Sequence, residues 1–237
     1  MIYKKDQQHT VLIDTHVQAP ISADWFTADY WHQQQAVTGT ALGRETTYFV
    51  KHEAQHWVLR HYYRGGFIEK LIKDHYFYFG TQYCRSIAEF QLLHKMVQLN
   101  LPVPKPVAAH VEKKGIVYKA GLIIEQLHGY QDLSVWLKQG SLSKEAWRTI
   151  GKTIALFHLH RIDHVDLNLK NILWNGKKAY LIDFDRCKQR PWHGSWQKKN
   201  LTRLKRSFYK EQQKSAQLHW QPVHFSILMA AYQTHLN

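Results

Sequence analysis

The sequence predicts an α+β fold in two lobes. The N-terminal lobe, residues 1–126, is a five-stranded antiparallel sheet with one helix; the C-terminal lobe, residues 127–237, is mainly helical with a small β-hairpin. Three observations carry this. Around residues 37–65 and 107–125, β-branched and aromatic residues come in short alternating runs, as half-buried strands require. From Thr81 to Leu99 the apolar period changes to three and four, the signature of a helix face. After residue 133 helical patterns dominate, broken by two short apolar runs flanking Asn175-Gly176.

Val37–Arg44 reads as a strand ending in a small loop bracketed by Gly39 and Gly43. Thr46–Val50 and Gln55–Arg60 are the next two strands, joined by a turn at Lys51–Ala54. In the helix, Tyr83, Ile87, Phe90, Leu93 and Val97 share a face. Pro102, Pro104 and Pro106 stop it, because proline has no N–H to give a helix and its ring clashes with the preceding turn. Strands at Val107–Val111 and Ala120–Glu125 complete the sheet. In the second lobe, Ser134–Lys138 is a short helix, and Ser143 N-caps a longer one ending near Leu159. Asn171–Trp174 and Ala179–Ile182 form the hairpin, whose Asn-Gly turn tolerates left-handed backbone. Two basic helices are expected from about Gln197 onward.

The composition narrows the function. A chain of 237 residues with 44% apolar and 14% aromatic residues supports a folded core and excludes a disordered or fibrous protein. Two cysteines, Cys84 and Cys187, do not make a disulfide framework. The N-terminus lacks the apolar core of a signal peptide, and no apolar run is long enough to span a bilayer. A reducing cytoplasmic location, with peripheral membrane association, is the expectation. The formal charge of +14 points to a polyanionic partner: nucleic acid, an acidic membrane surface or a phosphorylated substrate.

The chemistry lies in two stretches. His164-Val165-Asp166-Leu167-Asn168-Leu169-Lys170-Asn171 reads H-x-D-L-x-x-x-N, and Leu181-Ile182-Asp183-Phe184-Asp185 follows beyond the hairpin. These resemble the catalytic loop and metal-binding triplet of kinases, which makes the expected fold protein-kinase-like. Phosphoryl transfer needs neutralised phosphates, an aligned hydroxyl and a place for its proton. Asp166 is the candidate catalytic base. Asn171 and Asp183 are the candidate ligands of Mg2+, which prefers hard oxygen donors. Singly, each is an ordinary loop or strand-end residue; the joint spacing is what carries the chemistry.

ATP calls for a cation and an acid to hold it in the N-terminal lobe. Arg60 stands where kinases place lysine on the third strand, with Glu89 on the following helix as its partner; Lys51 is the rival cation. Gly43 belongs to the loop whose amides approach phosphate, although the full glycine-rich signature is missing. Glu125 and Leu127, after an apolar strand, sit where a hinge receives adenine through backbone groups. Val165 replaces the arginine that reads a phosphorylated activation loop, Asn168 replaces a lysine, and no A-P-E segment follows Asp183. These departures argue against peptide substrates and for a small-molecule or glycolipid acceptor. Asn168, Lys170, Arg64 and Arg186 are candidates for contacting it.

Positive charge clusters at Arg60–Gly66 and at Lys198–Lys214. In the second cluster Leu201, Leu204 and Phe208 fall on one helical face and Arg203, Arg206 and Lys210 elsewhere. Such a helix suits an anionic membrane surface, or packs its apolar stripe internally and leaves a solvated charged face. No nucleic-acid module accompanies the charge, so no nucleic-acid partner is expected.

The runs Val58–Gly66, Leu101–Pro104, His164–Asn168, Asn171–Leu173 and Leu181–Arg186, with Arg85 and Glu89, resemble bacterial 3-deoxy-D-manno-octulosonic acid (Kdo) kinases. These belong with the lipopolysaccharide core heptose kinases in one protein-kinase-like group. The resemblance implies an ATP- and Mg2+-dependent enzyme at the cytoplasmic face of a Gram-negative inner membrane. It would phosphorylate the 4-hydroxyl of Kdo on Kdo-lipid A precursor, with Asp166 as base and Asn171 and Asp183 as metal ligands. A heptose kinase, a small protein kinase or a catalytically dead nucleotide- or lipid-binding module are the alternatives.

Overall fold

The computed structural model describes residues 1–42, 46–62, 76–215 and 217–236. Gly43, Arg64 and the rest of the Arg-Gly-Gly run therefore lie outside the described residues. The chain divides into two compact units: Met1–Lys95 with Pro104–Gln126, and Met96–Val103 with Leu127–Asn237.

The first unit is a sheet with helices. Its strands are β1 (Ile2–Lys5), β2 (His9–Ile13), β3 (Val37–Leu42), β4 (Thr46–His52), β5 (Gln55–His61), β6 (Tyr76–Phe77), β7 (Pro106–Lys114) and β8 (Val117–Glu125). They form an eight-stranded sheet in the order β1-β2-β7-β8-β5-β4-β3, with β6 also pairing β8. Every pairing is antiparallel. The five strands expected are all present. β1, β2 and β6 are additions, and two of them have a physical reason for being missed. β1 is exposed at all four residues and exists only through its pairing with β2; β6 is two residues long. The short helix α1 (Ala28–Gln33) was also unforeseen. It follows a 3-10 turn at Ala23–Phe26, and together they bring Trp25, Phe26 and Trp31 into the core beside Trp57 and Leu59. The Trp31 indole N–H donates to the Trp25 carbonyl at 2.7 Å, so the aromatic cluster is oriented as well as buried. Helix α2 (Arg85–Gln98) buries Ile87, Phe90 and Leu93; Tyr83 lies outside it, exposed, in a separate 3-10 turn.

The second unit contains α3 (Leu133–Gln139), α4 (Lys144–Leu159), α5 (Ser195–Lys214) and α6 (Pro222–Leu236). Asp132 caps α3 by accepting from the Ser134 and Val135 amides, and Ser143 caps α4 by accepting from Ala146 N, as its position promised. The hairpin is β11 (Ile172–Trp174) and β12 (Ala179–Leu181), with Leu173 facing Tyr180. Asn175 accepts from the Lys177 and Lys178 amides, and Gly176 supplies φ +90°. The hairpin gains a third strand, β9 (Gln131–Asp132), and a separate pair forms from β10 (Ile162–Asp163) and β13 (Lys188–Gln189).

One expectation about the C-terminal helices needs correction, and of the two alternatives for the apolar stripe the packed one is found. Only α5 is basic; α6 contains no lysine or arginine. The stripe of α5 formed by Leu201, Leu204 and Phe208 is buried within the unit. Phe208 stacks on Trp220 at 5.2 Å, so this stripe belongs to the core and has no apolar face left for a bilayer. The charged face remains exposed.

Helices α4 and α6 meet at Gly151. A methyl group there would collide with the Leu228 carbonyl oxygen and lie 3.2 Å from the Tyr232 amide. Backbone cannot yield as a side-chain tip can, so Gly151→Ala is expected to lower stability by roughly 3 kcal/mol. Urea denaturation of the variant and the parent checks this; equal midpoints would show that the helices separate at little cost.

Candidate active site

In the first unit, strand alternation places Arg60. Trp57 and Leu59 point into the core, so Val58 and Arg60 take the opposite face. Arg60 Nη1 donates to Glu89 Oε1 at 2.9 Å, and the Tyr62 hydroxyl donates to Glu89 Oε2 at 2.5 Å. Glu89 is buried on the sheet-facing side of α2, and each carboxylate oxygen is met by a donor. Burial, together with the Glu89 charge, pushes the Tyr62 phenol well above its ordinary pKa, so Tyr62 remains a donor. Arg85 lies over the Tyr62 ring at 5.3 Å and donates to the Tyr76 hydroxyl. The sequence-predicted pair of Arg60 and Glu89 is thus brought together. Lys51, the rival cation, is exposed at the end of β4. At the end of β8 the Glu125 amide donates to the Lys105 carbonyl (2.9 Å), so that N–H is used by the unit itself. Leu127 follows two residues later and belongs to the second unit.

In the second unit the loop from His164 to Asn171 joins β10 to β11. His164 is buried, and its Nε2 lies 2.9 Å from the Ile182 carbonyl. A carbonyl only accepts, so Nε2 carries the proton. Burial holds the pKa of His164 below its ordinary value, against the opposing pull of the Ile182 carbonyl and the charges of Asp183 and Asp166. Phe184, fully buried, packs on the His164 ring at 4.8 Å and stacks on Phe157 at 5.8 Å. The catalytic-loop histidine therefore pins the loop to the segment carrying Asp183.

The hairpin ladder places the two candidate metal ligands beside each other. Ile172 pairs with Leu181, and one step further the Ile182 amide donates to the Asn171 carbonyl at 3.1 Å. Asp183 is the next residue, with φ +65°. Asn171 Nδ2 donates to the Asp166 carbonyl at 3.0 Å, which fixes the amide so that Oδ1 is its outward atom. Asn168 supports the same carbonyl through Nδ2 (2.8 Å) and caps the 3-10 turn by accepting from Lys170 N (2.9 Å). One carboxylate and one amide oxygen are hard donors of the kind that fit Mg2+, and they would leave room for water and phosphate oxygens. Among the described residues no cluster of three His, Cys, Asp or Glu side chains gathers for a metal.

Helix α5 supports this loop residue by residue, which the sequence reading missed. Asn200 Oδ1 accepts from the His164 amide (3.1 Å), Arg203 pairs with the Asp166 carboxylate, and Ser207 Oγ accepts from the Leu169 amide (3.1 Å). Lys170 lies 3.8 Å from Glu211 of the same helix. The buried Asn200 also donates through Nδ2 to Asp163 Oδ1 at 3.0 Å, and Arg190 closes the other oxygen of Asp163 at 2.6 Å. His158 completes the network: Nε2–H donates to Asn200 Oδ1 (3.3 Å) and Nδ1 accepts from the Tyr232 hydroxyl (2.8 Å). The signal was present: Asn200 and Glu211 are polar residues on the same helical face as Leu204 and Phe208. Arg186, by contrast, is exposed and lies 3.8 Å from Asp185.

An aspartate presented by a short loop, beside an amide and a carboxylate joined across a hairpin, defines the protein-kinase-like phosphotransferase class. The solved structure of WaaP in complex with acyl carrier protein shares this fold, with a TM-score of 0.60 over 94% of this chain and 88% of that one at 13% identity. A model of the lipopolysaccharide kinase (Kdo/WaaP) family matches residues 28–232. The 3-deoxy-D-manno-octulosonic acid kinase of Vibrio parahaemolyticus is 40% identical over 228 residues, covering 96% of this chain and 95% of that protein. The enzyme of the same name from Haemophilus influenzae is 42% identical over 220 residues, covering 89% and 90%. The chain belongs to the lipopolysaccharide kinase (Kdo/WaaP) family and is an ATP-dependent phosphotransferase.

His158 gives the site a pH dependence. Burial lowers its pKa to about 4, against the opposing help of Asn200 and Asp163. In the unfolded chain it takes up a proton near pH 6.5. Between these values the unfolded state holds more protons, so stability falls as the pH is lowered through that window. Denaturant titrations at pH 7 and pH 4.5 are expected to show the loss, and His158→Gln to reduce the difference; an unchanged difference would take His158 out of the effect.

Proposed function

We propose that this protein transfers the γ-phosphoryl group of ATP to the 4-hydroxyl of the Kdo sugar on Kdo-lipid A precursor. The observation carrying this is the near full-length match to Kdo kinases, 40% identical over 96% of the chain, with Asp166, Asn171 and Asp183 in the matched region.

Asp166 accepts the proton of the acceptor hydroxyl as its oxygen bonds to the γ-phosphorus and the bond to the β,γ-bridging oxygen breaks, releasing ADP. Its carboxylate is suited to this, being half-exposed at the loop surface while its backbone carbonyl is tied down by Asn168 and Asn171. Asn171 Oδ1 and the Asp183 carboxylate would hold Mg2+, whose chemistry there would be the neutralisation of phosphate charge. Arg60 serves the ATP phosphates from the position Glu89 fixes, and its exposure to salt or pH does not remove its charge. The backbone of Leu127 receives the adenine edge.

The glycolipid acceptor fits the exposed face of α5. Lys199, Arg203, Arg206 and Lys210, spaced by four, three and four residues, share one side of the helix and are all exposed. Lipid A phosphates and anionic headgroups suit such a row, each cation near an anionic surface contributing about 1 kcal/mol. Because the apolar stripe of α5 is buried, attachment to the inner membrane is electrostatic and peripheral. No helix among the described residues is long and apolar enough to cross a membrane.

Transfer of labelled phosphate from ATP to Kdo-lipid A precursor is expected to require Mg2+, and Asp166→Ala to lower kcat by about 10²–10⁴-fold. Label appearing only on a heptose-bearing acceptor would sink the Kdo assignment, and an alanine variant as fast as the parent would remove Asp166 from the mechanism. In sedimentation with phosphatidylglycerol–phosphatidylethanolamine vesicles, the protein is expected to pellet at low salt and to be released by roughly 0.5 M salt, where charges are screened beyond a few ångströms. Protein left in solution at low salt contradicts the membrane attachment.

A further inference from the structure

The candidate base does not stand alone. Arg203 Nη2 of α5 pairs with Asp166 Oδ1, and both side chains are open to solvent, 56% and 43% exposed. An ion pair this exposed adds little to the stability of a fold. It does set an open guanidinium directly beside the carboxylate proposed to meet the acceptor hydroxyl, where an anion carried by the acceptor can reach it. Arginine offers five N–H donors in one plane, enough to bridge two carboxylates, and Asp166 uses only one face of it.

We propose that Arg203 is the acceptor-recognition residue: its guanidinium takes the carboxylate of the acceptor sugar while the sugar hydroxyl meets Asp166. The inference rests on the Kdo acceptor proposed above. In a 3-deoxy-octulosonic acid the carbon bearing the carboxylate is two bonds from the carbon bearing the 4-hydroxyl, so one residue pair can address both groups. A neutral sugar leaves the second edge of the guanidinium unfilled. The helix is rigidly placed for this task by Asn200 and Ser207, which bond the loop on either side of Arg203.

The test compares two acceptors on the purified full chain: Kdo-lipid A precursor and the same molecule with the Kdo carboxylate as its methyl ester. Wild type is expected to prefer the acid by at least tenfold, roughly, in kcat/KM, as sites built around a charged hydrogen-bonding group do. In Arg203→Met both acceptors slow, and the preference collapses towards one; in Arg203→Lys part of it returns. The KM for ATP serves as a control for the rest of the site. A wild type that uses acid and ester alike overturns the inference without any variant. So does an Arg203→Met enzyme that is slower but keeps the full preference, since Arg203 then only positions Asp166. Transfer to a heptose acceptor in place of either Kdo form overturns the function proposed above, and this inference with it.

Discussion

The amide of Asn200 is the constraint on which the second unit's active surface depends. It is buried, so both ends must be satisfied inside the protein. Its nitrogen meets Asp163 and its oxygen meets the His164 amide and the His158 ring. One side chain thereby ties β10, the start of the catalytic loop and α4 to helix α5. A buried carboxylate such as Asp163 is costly when left with an open oxygen, and here Asn200 and Arg190 take one each. With α5 fixed at residue 200, the next turns of the helix deliver Arg203 to Asp166 and Ser207 to Leu169 without further adjustment.

The two units use the same device for their functional residues. In each, a regular antiparallel ladder sets the spacing and a buried polar side chain sets the orientation. Alternation along β5 turns Arg60 towards α2, where buried Glu89 receives it together with Tyr62. The β11–β12 ladder runs on to Asn171 and Ile182, and buried His164 secures the strand just before Asp183. Loops alone would leave such positions loose; the ladders remove the freedom before any ligand arrives.

What the sequence disclosed follows the range of the interactions involved. Local signals were legible. The Asn175-Gly176 turn, the Ser143 cap, the proline stop after α2 and the central strands all express preferences of a few adjacent residues. The pairing of Arg60 with Glu89 was legible because the two positions match the kinase pattern of a cation on the third strand and an acid on the following helix. Elements held by distant partners were not. β1 has no alternation of its own and depends on β2, and Trp25 of the 3-10 turn and Trp31 of α1 find their place in a core with Trp57. Helix α5 was half legible. Its stripe and charged face were visible, but whether Leu201, Leu204 and Phe208 meet a membrane or Trp220 depends on residues elsewhere in the chain. The role of Arg203 was hidden for the same reason, since nothing local links position 203 to position 166.

The backbone at Asp183 carries a last consequence. Its φ of +65° is a conformation that glycine adopts freely and that costs other residues about 1 kcal/mol. Asparagine and aspartate tolerate it best, yet neither matches glycine there. The chain thus keeps a carboxylate at a point where stability alone favours a residue without one. With Asp183 as the proposed metal ligand, activity and stability would stand in opposition at this position: a protein selected for sturdiness alone would gain by losing the acid.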